Sequence, residues 1–172
     1  VYYEHYSYLS LSTVERIFAA AGLRIFDVEK LSTHGGSLRV YGCHADDTRP
    51  CEEAVLTLLA EEERQGMQSV STYSGFQSRA DKVKDDVLGF LIDQKKLGKK
   101  VAAYGAAAKG NTLLNYAGVK KDLIPYVCDA APSKQGKFLP GSHIPIKSQE
   151  EIREAKPDYI LILPWNLKDE IM

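Results

Sequence analysis

The sequence lacks the cysteine patterns that define disulfide-rich proteins and zinc modules. Its three cysteines, Cys43, Cys51 and Cys128, form no C-x-x-C pair and have no spacing typical of a zinc site. We expect them to be buried or incidental thiols of a reducing compartment. No metal site is predicted in this chain.

Long hydrophobic runs and strong charge of one sign are also missing. No apolar run is long enough to cross a bilayer and no signal-peptide pattern is present, so a soluble cytoplasmic protein is expected. The 22 Lys and Arg residues stand against 23 Asp and Glu residues, for a net charge of −1. Proteins that bind nucleic acid or anionic membranes concentrate positive charge, so neither partner is expected.

The features that are present are typical of a globular protein. Of the 172 residues, 44% are hydrophobic and 26% are charged, and this length corresponds to one domain, or to one domain plus a fragment. The sequence starts at Val1 without a methionine and ends at Met172, just after a helical pattern begins. We therefore expect a piece excised from a longer protein.

The first third of the sequence predicts one helix and a hairpin. Ser12 to Glu15 has the S-x-x-E spacing of a capping box, and apolar residues follow at helical spacing until Gly22. Residues 23–29 and 38–41 have strand character and flank a glycine-containing turn, which predicts an antiparallel hairpin. The polar stretch after residue 46 marks a boundary between a first domain at 1–47 and a second at 48–172.

The second domain is predicted to be a Rossmann-like α/β domain, a parallel sheet with flanking helices. Two amphipathic helices are followed by a regular alternation of strand and helix, which implies parallel strands with right-handed crossovers. The last strand is a continuous apolar run and is expected to be buried on both faces. The predicted elements are helices at 52–65, 76–97, 111–116 and 150–155, and strands at 101–105, 124–129 and 159–163.

A glycine-rich turn at Gly105–Asn111 follows the first of these strands, where parallel sheets bind ligands. It is not a P-loop, because its lysine precedes Gly110, and it lacks the second glycine of a dinucleotide fingerprint. It still predicts a general anion site, built from backbone amides between Ala107 and Gly110 with Lys109 or Asn111. The alternative is a tight turn in which small residues only permit close packing.

Other polar residues follow the carboxyl ends of the predicted strands. Asp129 lies where a Rossmann acid binds ribose hydroxyls, although it is equally suited to cap the next turn. The turn-rich segment after it brings Lys134, Lys137 or His143 towards a ligand, or forms a solvated loop. Trp165 and Asn166 follow the last strand, and either ligand binding or packing accounts for them.

The first residues are crowded with titratable groups. Tyr2–Tyr8 contains four tyrosines, Glu4 and His5 within seven residues, just before the first helix. A histidine can accept a proton from a carbon next to a carbonyl, and tyrosine hydroxyls can donate to the enolate oxygen that results. Half-buried side chains at a helix entry are the alternative.

Five blocks of the sequence together resemble the S-adenosylmethionine-dependent sugar C-methyltransferases that act on nucleotide-linked keto-deoxysugars. The resemblance extends over nearly the whole chain. The blocks are Tyr2–Tyr8, His34–Val40, Tyr104–Thr112, Lys134–Gly141 and Leu163–Asn166.

The resemblance implies three modules: a zinc-binding N-terminal domain, a methyltransferase domain and a Rossmann-like C-terminal domain that helps to hold the nucleotide sugar. This chain then corresponds to the end of the second module, residues 1–47, and to the third, residues 48–172. Zinc is expected only in the missing N-terminal domain. S-adenosylmethionine is expected in the full-length protein but not on this fragment, which we expect to be inactive alone.

The resemblance also implies roles for individual residues. His5 is the candidate base, with Glu4 and Tyr2 lining the same pocket. The nucleotide diphosphate is expected to contact the glycine-rich turn and the two strand ends near it, through Ala107, Lys109, Gly110, Asn111, Asp129 and Lys137. Two other interpretations compete with this one: a non-catalytic Rossmann-like module that binds a nucleotide or dinucleotide, and half of an NAD-dependent dehydrogenase.

Overall fold

The computed structural model describes residues 5–172, and the side chain of His34 is outside this description. The described chain forms two compact units. We call Tyr6–Gln77 the hairpin unit and Ser78–Met172 the sheet unit; His5 is grouped with the latter. The boundary predicted between residues 47 and 48 separates two modules of the family, whereas these units are defined by compactness. That boundary therefore stays a prediction.

The hairpin unit combines helices with one antiparallel pair of strands. Its elements are α1 (Leu11–Ala20), β1 (Leu23–Leu31), β2 (Ser37–His44), α2 (Glu53–Arg64) and the short α3 (Val70–Tyr73). Strands β1 and β2 pair with an irregularity between Ile25 and Asp27. The buried side chains of Leu11, Val28 and Leu58 join α1, the hairpin and α2 in one core. The predicted hairpin is confirmed.

The start of α1 differs from the prediction. The N-cap is Ser10 rather than Ser12, and the Oγ of Ser10 accepts a hydrogen bond from the N–H of Thr13 at 3.2 Å. The carboxylate of Glu62, only 4% exposed, accepts from Leu11 at 2.6 Å and from Ser12 at 2.9 Å. The predicted capping box is therefore wrong, because an acid from another helix does what Glu15 was expected to do.

The sheet unit is a parallel α/β fold, as predicted. Its elements are α4, which starts just before the unit (Phe76–Lys96), β3 (Val101–Tyr104), α5 (Ala108–Ala117), β4 (Val127–Cys128), β5 (Ile146–Lys147), α6 (Glu150–Ala155), β6 (Tyr159–Ile162) and α7 (Lys168–Ile171). The four strands run parallel in the order β5-β4-β3-β6. Since β4 and β6 lie on opposite sides of β3, the topological switch point is between β3 and β6.

The two faces of the parallel sheet pack against different helices. Val101 and Ala103 of β3 face a core that includes Leu91 of α4 and Leu114 of α5. The alternate residues of the sheet, such as Ala102, form a smaller cluster with Ile152 of α6. The period of two in a strand produces this division and makes the unit a three-layer sandwich.

Three details of the sheet differ from the predictions. The strand β6 is at the edge of the sheet, and Tyr159 and Ile160 are 43% and 46% exposed, so burial on both faces is wrong. Strand β4 has two residues rather than six, and the two-residue β5 was not predicted. Helix α5 begins at Ala108, three residues before the predicted start.

The three cysteines differ in their burial. Cys43 and Cys128 are buried and Cys51 is exposed. Burial raises the pKa of the Cys128 thiol to about 11, so it is a poor nucleophile at neutral pH. Across residues 5–172, each helix is either too short or too polar to cross a bilayer.

Candidate functional site

Two glycines of the predicted turn are required for close packing. Gly105 has a φ of +89°, and a Cβ there would lie 2.4 Å from the Cδ of Pro164. A Cβ on Gly110 would lie 2.5 Å from the Cβ of Leu163. The turn therefore rests directly on the chain that leaves β6, and the packing alternative accounts for both glycines. Because packing explains the glycines, the anion hypothesis depends on the backbone N–H groups of α5 and on the side chains of Lys109 and Asn111.

The first turn of α5 has backbone N–H groups that find no acceptor among residues 5–172. Its N-cap, Ala107, has no side-chain acceptor, and the N–H of Ala107 itself donates to the carbonyl of Gly105 at 2.9 Å. Within residues 5–172, the N–H groups of Ala108, Lys109 and Gly110 donate to no backbone carbonyl. These three N–H groups form the positive end of the helix dipole, where an anion is favoured.

Lys109 connects this first turn to the end of β6. Its Nζ donates to the Oδ1 of Asn166 at 2.5 Å and lies 5.4 Å from the ring centroid of Trp165. A lysine in the first turn places a positive charge at the positive end of the helix, which is unfavourable unless an anion binds there. The charge of Lys109 therefore supports an anion site at the switch point.

Asn111 follows in the same turn and has a buried group without a partner. Its Oδ1 is buried and accepts no hydrogen bond from the described residues. Exchanging the amide oxygen and nitrogen by rotation would put two N–H donors in the same place. As placed, Asn111 has a buried amide oxygen that lacks a donor among the described residues.

Asp129 is 7% exposed and supports the turn from β4. Its Oδ2 accepts from the N–H of Ala106 at 2.7 Å and from the Nζ of Lys134 at 3.1 Å, and its Oδ1 accepts from Ala131 at 2.8 Å. Burial acts to raise the pKa of Asp129, but these hydrogen bonds outweigh burial and lower the pKa. Asp129 thus caps the next turn, the alternative left open above, and its ribose contact stays a prediction.

Lys134 belongs to the same cluster. Its Nζ donates to the carbonyl of Ala106 at 3.0 Å as well as to Asp129, and its side chain is 43% exposed. Lys137, which was predicted to bind substrate, is exposed. The sequence indicated that one of these lysines approaches the turn, but loop geometry decides which one.

Of the three catalytic candidates at the start of the chain, the structure describes only His5. Tyr2 and Glu4 lie outside the described residues. His5 is exposed and is grouped with the sheet unit that contains α5. Their predicted roles therefore stay predictions. In residues 5–172 no group of three or more His, Cys, Asp or Glu side chains is placed to hold a metal ion.

A parallel sheet flanked by helices, with the start of a lysine-bearing helix beside its switch point, defines a Rossmann-like α/β domain. The chain belongs to the C-methyltransferase C-terminal domain family, whose model matches residues 32–172. It is 39% identical over 172 residues to the C-methyltransferase NovU of Streptomyces niveus. That alignment covers 100% of this chain but 41% of the relative. The resemblance found in the sequence is confirmed.

Proposed function

We propose that this chain is the substrate-binding part of a longer S-adenosylmethionine-dependent enzyme, one that methylates a carbon next to the ketone of a nucleotide-linked keto-deoxysugar. Family membership and the relative NovU support a C-methyltransferase. The five matching sequence blocks support the choice of a nucleotide sugar. The observation that carries the proposal is the uncapped first turn of α5 with Lys109 in it.

The ligand held at α5 would be the diphosphate of the nucleotide sugar. A diphosphate carries acceptor oxygens on two phosphorus atoms, and charge-assisted hydrogen bonds from N–H groups and an ammonium suit it without magnesium. Lys109, Gly110 and Asn111 would contact it directly, with Ala107 at the edge. Lys134 and Lys137 are the two cations that compete for a second phosphate contact.

The described residues do not fit the methyl donor. Asp129 follows β4, where a Rossmann acid binds ribose, and its carboxylate already accepts three hydrogen bonds within the protein. A ribose hydroxyl would have to share this carboxylate with those three donors, and the second glycine of the dinucleotide fingerprint is missing, which disfavours both NAD and the adenosine of the methyl donor. We therefore derive no step through the methyl donor.

The role proposed for His5 is that of general base. Its imidazole would accept the proton from the carbon next to the ketone, which leaves an enolate whose carbon is the nucleophile. Glu4 and Tyr2 would line the same pocket, where a hydroxyl donor stabilises the enolate oxygen. His5 is grouped with the same unit as α5, which is consistent with one substrate reaching both.

Calorimetric titration of this chain tests the diphosphate site. Thymidine diphosphate is expected to bind, whereas NAD and S-adenosylmethionine give no measurable heat. Lys109→Met should weaken thymidine diphosphate about 10- to 100-fold, the value of a charge-assisted hydrogen bond. The matched control is Lys121→Met, an exposed lysine beyond the other end of α5, which should leave the affinity unchanged. Tighter binding of NAD than of thymidine diphosphate would favour a dinucleotide-binding module instead.

Turnover by the longer enzyme tests the base. His5→Ala or His5→Asn should lower kcat by about 10²- to 10⁴-fold, the usual contribution of general base catalysis. The affinity for the nucleotide diphosphate should stay within about twofold, because the imidazole acts on the sugar and not on the phosphates. Undiminished turnover would assign the proton transfer to another residue.

A further inference from the structure

Trp165 lies beside the first turn of α5 because of how the preceding residues pack. Leu163 and Pro164 are buried against Gly110 and Gly105, so the chain leaving β6 passes directly beside the glycine turn. The next residue begins the short 3₁₀ helix Trp165–Leu167. Two close packing contacts therefore fix the backbone of Trp165 next to the first turn of α5.

The indole of Trp165 is held at one side and open to solvent elsewhere. The ammonium of Lys109 lies 5.4 Å from its ring centroid, within the range of a cation–π interaction. The neighbouring Asn166 accepts a hydrogen bond from the same ammonium at 2.5 Å. Even so, Trp165 is 59% exposed. Burial of an aromatic side chain contributes strongly to the free energy of folding. Because the ring of Trp165 is mostly exposed, it contributes little of this stabilisation.

We infer that Trp165 is a stacking platform for the base of the nucleoside diphosphate bound at α5. The inference rests on the proposed diphosphate site. A phosphate oxygen bound to Lys109 at about 2.8 Å lies within about 8 Å of the indole centroid, since Nζ is 5.4 Å from it. The base is one ribose away from that phosphate, so it reaches the exposed ring.

Stacking on the base is favoured over stacking on the hexose. The hexose carries the reacting carbon, so under the proposed function it must reach the catalytic base. The nucleobase does not react, so it can stay bound to the indole throughout the reaction. Every base has a π-face, so an indole platform accepts pyrimidines and purines without hydrogen bonds to their edges.

The chain contains one tryptophan among ten tyrosines, so fluorescence excited at wavelengths that tyrosine does not absorb reports this ring alone. Thymidine diphosphate should quench the fluorescence, whereas inorganic pyrophosphate should bind in calorimetry with little quenching. Trp165→Leu should weaken thymidine diphosphate about 5- to 100-fold, the effect of losing one stacked base, and leave pyrophosphate unchanged. Trp165→Phe keeps an aromatic face and should recover most of the lost affinity.

The two ligands separate failure of stacking from failure of the diphosphate site. If pyrophosphate binds but Trp165→Leu leaves thymidine diphosphate unaffected, the stacking inference is wrong and the diphosphate site stands. The inference is also wrong if the variant weakens glucose 1-phosphate but not thymidine diphosphate, because the ring then contacts the sugar. If neither thymidine diphosphate nor pyrophosphate binds the unmodified chain, both proposals fall.

Discussion

Two helices of this protein begin in opposite ways. At α1 the N–H groups of Leu11 and Ser12 donate to Glu62, and that of Thr13 donates to Ser10. At α5 the N-cap is an alanine, which cannot cap the first turn with its side chain. The first N–H groups of α1 therefore have acceptors within the protein, whereas those of Ala108, Lys109 and Gly110 in α5 have none among residues 5–172.

The charge at each helix start supports the same distinction. Helix α2 also begins without a side-chain cap, but Glu52 and Glu53 there complement its positive end. Helix α5 has no acid in its first turn and carries Lys109 instead. Residues at a binding site are often selected at the expense of stability, and the start of α5 has this character. A helix start without a cap is common, as α2 shows. It indicates a binding site only when the charge of its first turn also opposes the helix dipole, as at α5.

The largest change in stability is expected from removing the carboxylate of Glu62, which caps the start of α1. Glu62→Ala leaves two N–H groups without their acceptor, and we expect a loss of about 3 kcal/mol in the free energy of unfolding, measured with urea. Glu62→Gln keeps one acceptor oxygen and should lose about half of that. Glu63→Ala, at an exposed neighbouring position, is the control, and an equal loss there would contradict the capping role.

A smaller effect is expected from filling the close contact beneath α5. Gly110→Ala brings a methyl to 2.5 Å from the Cβ of Leu163 and should cost about 1 to 3 kcal/mol by overpacking. Gly89 is also helical, but a Cβ at that position would have nothing within 4 Å. Gly89→Ala should therefore stabilise the chain by about 0.5 to 1 kcal/mol through helix propensity. Equal effects of the two substitutions would show that the contact with Leu163 is not limiting.

The third prediction concerns a variant that gives α5 a side-chain cap like that of α1. Ala107→Asp supplies the missing cap and should stabilise the chain by about 1 kcal/mol, as seen in thermal or urea unfolding. The same carboxylate would occupy the N–H groups and repel phosphate, so pyrophosphate affinity should fall more than about tenfold. A variant that is more stable and still binds pyrophosphate normally would break the link between the uncapped turn and ligand binding.

The regular elements of this fold could be predicted from the sequence, and their contacts could not. Strand and helix alternation after Gly98 identified the parallel sheet, because periodicity and glycine stops are local signals. Ala107 and Ala108 carry no capping side chain, so no local signal marks the true start of α5 three residues before Asn111. The two residues of β5 are too few for a strand pattern. An edge position for β6 follows from strand order, which an apolar run does not encode.

The candidate site was predictable in part for the same reason. A glycine turn after a strand is a local pattern, and Lys109 and Asn111 were found with it. The cap on α1 comes from Glu62, which is 51 residues away from Leu11, and no spacing rule reaches that far. The contacts of the two turn glycines with Leu163 and Pro164 also join distant segments. Likewise, only the folded loop distinguishes Lys134 from Lys137.

The most direct test of the central claim is an NMR titration of backbone amides with pyrophosphate. The account predicts that the N–H signals of Ala108, Lys109 and Gly110 shift as pyrophosphate is added, and that they stop shifting at saturation. The signals of Leu11, Ser12 and Thr13 should stay in place, because their hydrogen bonds are already made. Unmoved signals at α5, or equal shifts at both helix starts, would contradict the claim that α5 begins at an anion site.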